Sequence, residues 1–225
     1  LQDDLAQLAG PVEVLTKRHC RAVWTAPLAG PADPALHAQW LALDEARPIL
    51  DGRFHSRPGL FAWDRIDTGS ALLARHLPKA LAGRGADLGA GWGYLASEVL
   101  AHCPGVGSLD LFEAEARALA LARRNLAQAR VPVDFHWHDV ATGVPGTYDF
   151  IVSNPPFHQG RADLPGLGQA FIAAAAAALR PGGRLLLVAN RHLPYEATLA
   201  QGFAQVHCLA DEQGFKVIDA LRVAA

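Results

Sequence analysis

Gly85-Ala86-Asp87-Leu88-Gly89-Ala90-Gly91-Trp92-Gly93 is the stretch on which the reading of the chain turns. Gly85 to Leu88 reads as a strand, and Tyr94 to His102 as a helix with apolar residues at helical spacing. Between them, Gly89 and Gly91 permit a tight turn and close approach of a ligand to the backbone. The helix start beyond them offers unpaired N–H groups. Strand, glycine loop and helix in that order mark the first crevice of an open α/β sheet, where ligands bind at the carboxyl ends of the strands. The spacing is Gly-x-Gly-x-Gly, not the Gly-x-Gly-x-x-Gly of dinucleotide sites. Asp87, just before the loop, suits a cofactor with a cationic amino group better than a pyrophosphate.

Working outward, strands and helices alternate. Strands are expected at Ser108–Phe112, Val133–Trp137, Tyr148–Ser153 and Arg184–Ala189, with helices at Ala114–Ala129, Gly168–Leu179 and Pro194–Gln201. Before the loop, Thr68–Leu77 reads as a helix stopped by Pro78, and Asp51-Gly52 as a hairpin turn. Phe203–Leu209 and Phe215–Val223 close the chain. A few residues around Gly214 join them, too few for a parallel crossover, so this pair is antiparallel. The fold class is α/β, with a mostly parallel sheet covered on both faces. Residues 51–225 form the main domain. Residues 1–50 are expected to be an appendage or the remnant of a preceding domain, with Asp33 capping a helix from Pro34 to about Ala46.

Hydrophobic residues make up 51% and charged residues 19% of the 225, as in a globular chain rather than a disordered one. No uncharged apolar run reaches membrane-spanning length. The acidic start, Leu1-Gln2-Asp3-Asp4, does not resemble a signal peptide, and the absence of any methionine suggests a processed chain or a piece of a longer one. The net charge of −2 excludes a globally basic nucleic-acid binder and leaves only local patches. Arg53, His55, Arg57 and Arg65, and further on Arg161, Arg191, His192 and Lys216, are the cations available for phosphate. Cys20, Cys103 and Cys208 form no disulfide or metal pattern and are expected to be buried thiols in a reducing cytoplasm. His136 and His138 share a strand face but lack a third ligand, so no metal is expected.

Two acids extend the glycine loop into a site. Glu113 lies 24 residues after Gly89, at the end of the second strand, where a carboxylate can accept both hydroxyls of a ribose. Asp110 competes for that role but sits earlier in the strand. Asp139, after the third strand, can accept from an adenine amino group. The most specific signal is Asn154-Pro155-Pro156-Phe157, following the apolar strand Tyr148–Ser153. Two prolines end a strand and stiffen it. The Asn154 side-chain oxygen and the Pro155 carbonyl can each take one hydrogen of a planar NH₂ group, which is a positioning effect. Phe157 can stack on the ring that bears the amine, worth ~1–3 kcal/mol.

With these residues in place, the chain resembles class I S-adenosylmethionine (SAM)-dependent methyltransferases of the "methyltransferase small domain" group, most closely the bacterial small-subunit ribosomal RNA guanine-N2 enzymes. The resemblance covers about residues 48–223. It rests on Pro58-Gly59-Leu60-Phe61, Asp67-Thr68-Gly69-Ser70, the 87–93 loop, Ser153–His158, Val188–Tyr195 and Gly214–Val217. It implies a Rossmann-like seven-stranded sheet with an antiparallel last strand. It implies SAM as cofactor at Asp87, Gly89, Gly91, Glu113, Asp139 and Asn154. Catalysis would fall to Asn154, Pro155, Pro156 and Phe157, with Phe157 and Lys216 on the substrate side. The partner would be ribosomal RNA or a ribosomal subunit, met in the cytoplasm by a monomer. Lys17-Arg18-His19-Cys20-Arg21 resembles the tail of the family's non-catalytic N-terminal domain. Trp92, bulky for its position, either lines the methionine side of the pocket or packs. Two alternatives stand beside this: a protein glutamine-N5 methyltransferase, whose Asn-Pro-Pro motif more often ends in Tyr, and an idle SAM- or RNA-binding module.

Overall fold

The computed structural model describes residues 2–223 other than 157, 160, 161 and 164. The chain divides into two compact units, one made of Leu1–Arg47 with Arg57–Gly59, the other of Pro48–Ser56 with Leu60–Ala225.

The first unit holds helix α1 (Gln2–Ala9), strands β1 (Val12–Lys17) and β2 (Cys20–Thr25), and helix α2 (Pro34–Leu43). The two strands form an antiparallel hairpin in which Lys17 faces Cys20. Arg18 and His19 make its two-residue turn, both with positive φ (52° and 62°), as a turn matched to strand twist requires. This hairpin is an element the sequence reading did not place, because its turn carries no glycine or asparagine. Asp33 caps α2 as expected, accepting from Leu36 N at 2.9 Å.

The second unit opens with a short ribbon, β3 (Arg47–Ile49) and β4 (Phe54–Ser56), around the expected Asp51-Gly52 turn. Then follow α3 (Thr68–Arg75), β5 (Ala82–Leu88), α4 (Tyr94–His102), β6 (Gly105–Glu113), α5 (Ala116–Asn125), β7 (Val133–Trp137) and β8 (Tyr148–Ser153). The remainder comprises the two-residue strands β9 (His158–Gln159) and β10 (Ala162–Asp163), α6 (Pro165–Ala178), β11 (Leu179–Asn190), α7 (Glu196–Gly202), β12 (Phe203–Glu212) and β13 (Phe215–Arg222). Seven strands form one sheet in the order β12-β13-β11-β8-β5-β6-β7. The pairs from β11 to β7 are parallel, and β13 runs antiparallel to both neighbours. This is the expected mostly parallel sheet with an antiparallel last strand.

Two boundaries differ instructively. Glu113 stays in β6, and Glu115 instead caps α5 by accepting from Arg117 N, so that helix starts later than its sequence pattern suggests. β11 begins at Leu179 rather than Arg184, because Arg180-Pro181-Gly182-Gly183 is absorbed as an irregularity in its pairing with β8.

Apolar side chains alternate to the two faces of the sheet. One face packs Leu187 and Ile151 against Phe171, Ile172 and the alanines of α6. The other packs Phe150, Val152, Leu186 and Val188 against Leu72 and Leu73 of α3 and Leu95 and Val99 of α4. The order matters for function. The chain leaves β5 toward β6 and β7, then returns to lay β8 on the other side of β5. The β5/β8 boundary is therefore the switch point, and a crevice opens beyond the carboxyl ends of those strands.

Candidate functional site

The glycine loop forms the floor of this crevice. Gly89, Gly91 and Gly93 all have positive φ (75°, 56° and 92°), a conformation that side chains resist. A Cβ on Gly91 would meet nothing within 4 Å, so open space lies over the loop. Gly89 N and Ala90 N donate to Phe112 O at 2.9 and 3.1 Å, tying the loop to β6. Glu113 completes the tie: its carboxylate accepts from Gly91 N at 2.7 Å and from Glu115 N at 2.8 Å. Asn125 holds the loop from the other side, donating to Trp92 O at 2.8 Å and to His55 O at 3.0 Å.

A cleft of about 460 Å³ lies against this loop, lined among others by Phe112, Glu113, Asp139, Asn154, Pro155 and Phe171. A narrower pocket of about 60 Å³ adjoins it, sharing Phe61, Gly89, Gly91 and Asn154 and adding Asp67, Ser70, Trp92 and Tyr94. Gly89, Gly91, Glu113, Asp139, Asn154, Pro155 and Pro156, expected from sequence to form one site, thus share one cleft. Asp139 caps a short 3-10 turn by accepting from Ala141 N at 2.9 Å and leaves its carboxylate exposed. Asp110 points elsewhere, buried and paired with Arg84 at 2.6 Å. Trp92 is buried against Phe54 (5.1 Å between centroids) and Tyr94 (5.9 Å) while also lining the narrow pocket. The packing reading of Trp92 therefore holds, and the ring also faces a pocket.

Asp87 does not line either pocket. It is fully buried beneath the loop, and neither carboxylate oxygen has a hydrogen-bond partner. Burial, then the nearby charge of Glu113, pushes its pKa up to about 7, with the Ala96 amide in the first turn of α4 pulling the other way. Lys216, expected on the substrate surface, turns inward instead. Its ammonium donates to Leu193 O at 3.0 Å and pairs with Glu196, holding the Glu196 carboxyl below its ordinary range. A lysine at a β-strand position with its tip buried cannot reach solvent phosphates.

Asn154 is the centre of the arrangement. Ser153 Oγ donates to Leu88 O at 2.7 Å, pinning the end of β8 to the end of β5. The Asn154 amide nitrogen then donates to Asp67 Oδ2 (2.8 Å) and Ser70 Oγ (2.9 Å). Pro155 is buried and Pro156 exposed behind it. Phe157 and Arg161 lie outside the described residues. Of the other expected cations, Arg53 pairs with Glu98, Arg57 with Asp44, Arg65 with Asp64 and Arg191 with Asp211. Among the described residues no group of His, Cys, Asp or Glu is placed to hold a metal, and no helix is long and apolar enough to cross a membrane. The cysteines depart from expectation, since Cys103 is buried but Cys20 and Cys208 are exposed.

A glycine loop braced by an acid from the next strand, with Asn-Pro-Pro at the end of the fourth, is a family arrangement, and residues 51–219 match the methyltransferase small domain. The chain belongs to that family. The chain is also similar to curated proteins called ribosomal RNA small subunit methyltransferase C. The Chromohalobacter salexigens protein is 39% identical over 189 residues, 82% of this chain and 55% of its own length. The Pseudomonas aeruginosa protein is 34% identical over 221 residues, covering 97% and 65%. Among solved structures, the T. thermophilus 16S rRNA N2 G1207 methyltransferase (RsmC), in complex with AdoMet and guanosine, superposes with a TM-score of 0.75 at 28% identity, over 98% of this chain and 60% of that one. The chain thus spans between half and two thirds of these relatives' lengths.

Several lining residues had no assigned role from sequence, among them Phe61, Asp67, Ser70 and Phe171. Phe61, Asp67 and Ser70 lie in segments that carried the family resemblance but had no individual role, and Phe171 was read only as part of a helix. In the structure Leu60 is buried while Phe61 beside it is 67% exposed, an aromatic ring left at a pocket rim.

Proposed function

We propose that the chain transfers a methyl group from SAM to the exocyclic 2-amino group of a guanine in small-subunit ribosomal RNA. The observation that carries this is Asn154, whose amide nitrogen is held by Asp67 and Ser70 while its side chain lines the cleft shared with Glu113.

The residues fit the cofactor. The cleft volume lies in the range of small-molecule sites. Glu113 and Asp139 would accept from the ribose hydroxyls and the adenine amine, and the Gly89–Gly91 backbone would lie under the methionine part. Asp87, fully buried beneath the loop and lining neither pocket, would not touch the cofactor directly, and its charge would favour the cationic amine only across the loop. When bound, SAM supplies a methyl group on a sulfonium and leaves as the thioether. Asn154 Oδ1 and the Pro155 carbonyl would take the two amine hydrogens and so orient the nitrogen lone pair. They also favour the positive charge that develops there. The nitrogen then releases a proton to water, so no strong base is needed. Phe157 would stack on the guanine, with Phe61 at the rim as a second aromatic surface. The names and bound ligands of the relatives support the substrate class.

Labelled SAM incubated with the chain and small ribosomal subunits tests this reading. Methylguanine located by mass mapping of the RNA is the expected product. Label recovered only in release factors would favour glutamine-N5 transfer instead.

A further inference from the structure

We propose that Asp67 and Ser70 are positioning residues that hold the Asn154 amide in the one orientation able to receive an amine. The proposal rests on the methyl-transfer reading above and deepens it.

A side-chain amide is nearly symmetric in shape, with an acceptor oxygen at one end and an NH₂ at the other. Turned one way it receives an amine; turned the other it offers hydrogens to a carbonyl. The two residues bonded to the Asn154 amide remove the choice. Asp67 Oδ2 stands 2.8 Å from Nδ2 and Ser70 Oγ stands 2.9 Å from it. A carboxylate accepts only, so a flipped amide would set oxygen against oxygen beside a negative charge. Both amide hydrogens are therefore used on Asp67 and Ser70, which line the narrow pocket with Asn154. The oxygen keeps its lone pairs for the cleft.

The bracket is itself held. Asp67 Oδ2 also accepts from Ser70 N at 2.8 Å, capping α3. Gly69 makes the packing feasible, because a Cβ there would lie 3.1 Å from the Phe215 ring and 3.2 Å from Asp67 Oδ2. The spacing Asp67-x-Gly69-Ser70 thus places two acceptors on one amide from 87 and 84 residues away in sequence. The consequence is selectivity. The site takes groups that donate two hydrogens, such as the guanine 2-amine, and repels groups that only accept, such as the neighbouring carbonyl oxygen. The carboxylate beside the amide also favours the positive charge gained by the attacking nitrogen.

Asp67→Asn tests this, since asparagine still caps a helix but can face either end of the Asn154 amide. Ser70→Ala is the companion variant. Single-turnover methyl transfer, SAM affinity, melting temperature and the ¹⁵N–¹H signals of the Asn154 side chain would be measured. The Asn154 signals are assigned as those absent in Asn154→Ala. Each variant is expected to lose about 10–10²-fold in single-turnover rate. SAM affinity should fall much less than the rate, the Asn154 NH₂ should lose its protection from exchange, and Asp67→Glu should recover part of the rate. An unchanged rate, or an equal fall in rate and SAM affinity, would overturn the proposal. If the unaltered chain moves no methyl to guanine, the methyl-transfer reading fails. The NH₂ signals still report on the bracket: protection unchanged in both variants would refute it.

Discussion

Asn154 and Asp87 show how differently two polar side chains are used, one in the cleft and one buried beneath it. The Asn154 side chain is anchored at its nitrogen and presented at its oxygen. Asn154→Ala is therefore expected to cut turnover by about 10²-fold or more while leaving SAM affinity nearly intact. Equal losses in calorimetric affinity and rate would contradict the assigned role. Asp87 is a buried carboxyl whose pKa is raised to about 7 by burial and then by the nearby Glu113 charge. Its unfolded value is about 3.9. Between those values the folded chain holds a proton that the unfolded chain has released. The stability from this group is full below about pH 4 and is lost as pH rises through about 7. Without cofactor, the melting temperature should fall over that interval, and Asp87→Asn should flatten the fall; an unaltered slope in the variant would point to other groups. At this scale the sequence was legible where motif and position coincide, as for Gly91 and Glu113. It was silent on pairings. Nothing local to Asp67 shows that it touches a residue 87 positions away.

Elements were easier to read than their edges. Apolar periodicity marked every strand of the main sheet. It could not show that Pro181 and Gly182 ride inside β11, or that Glu115 delays α5, because caps and bulges depend on neighbours in space. The β1–β2 hairpin escaped because its left-handed turn is built from Arg18 and His19. Lys216 on β13 is the clearest case of tertiary context overruling residue type. Its ammonium staples the segment from Leu193 to Glu196 onto the sheet. Lys216→Ala is expected to cost about 1–3 kcal/mol in denaturant unfolding, through loss of the charged hydrogen bond to the Leu193 carbonyl, which keeps the Tyr195 N–H as a donor. RNA affinity should hardly change. Intact stability with weakened RNA binding would return Lys216 to the substrate surface.

For the molecule as a whole, the residues lining both pockets come from the second unit. A chain starting at Pro48 should therefore still bind SAM, measurable by calorimetry; loss of binding in a folded fragment would show that the first unit contributes. The sheet itself carries one more consequence. β12 reaches β11 only through β13, which is made after both. Until residues 215–222 have emerged from the ribosome, β11 has a bare apolar edge and β12 has no neighbour to zip onto. Completion of the sheet thus waits on β13, and until it is made the nascent chain presents an open template for mispairing, the state in which a holdase would find it.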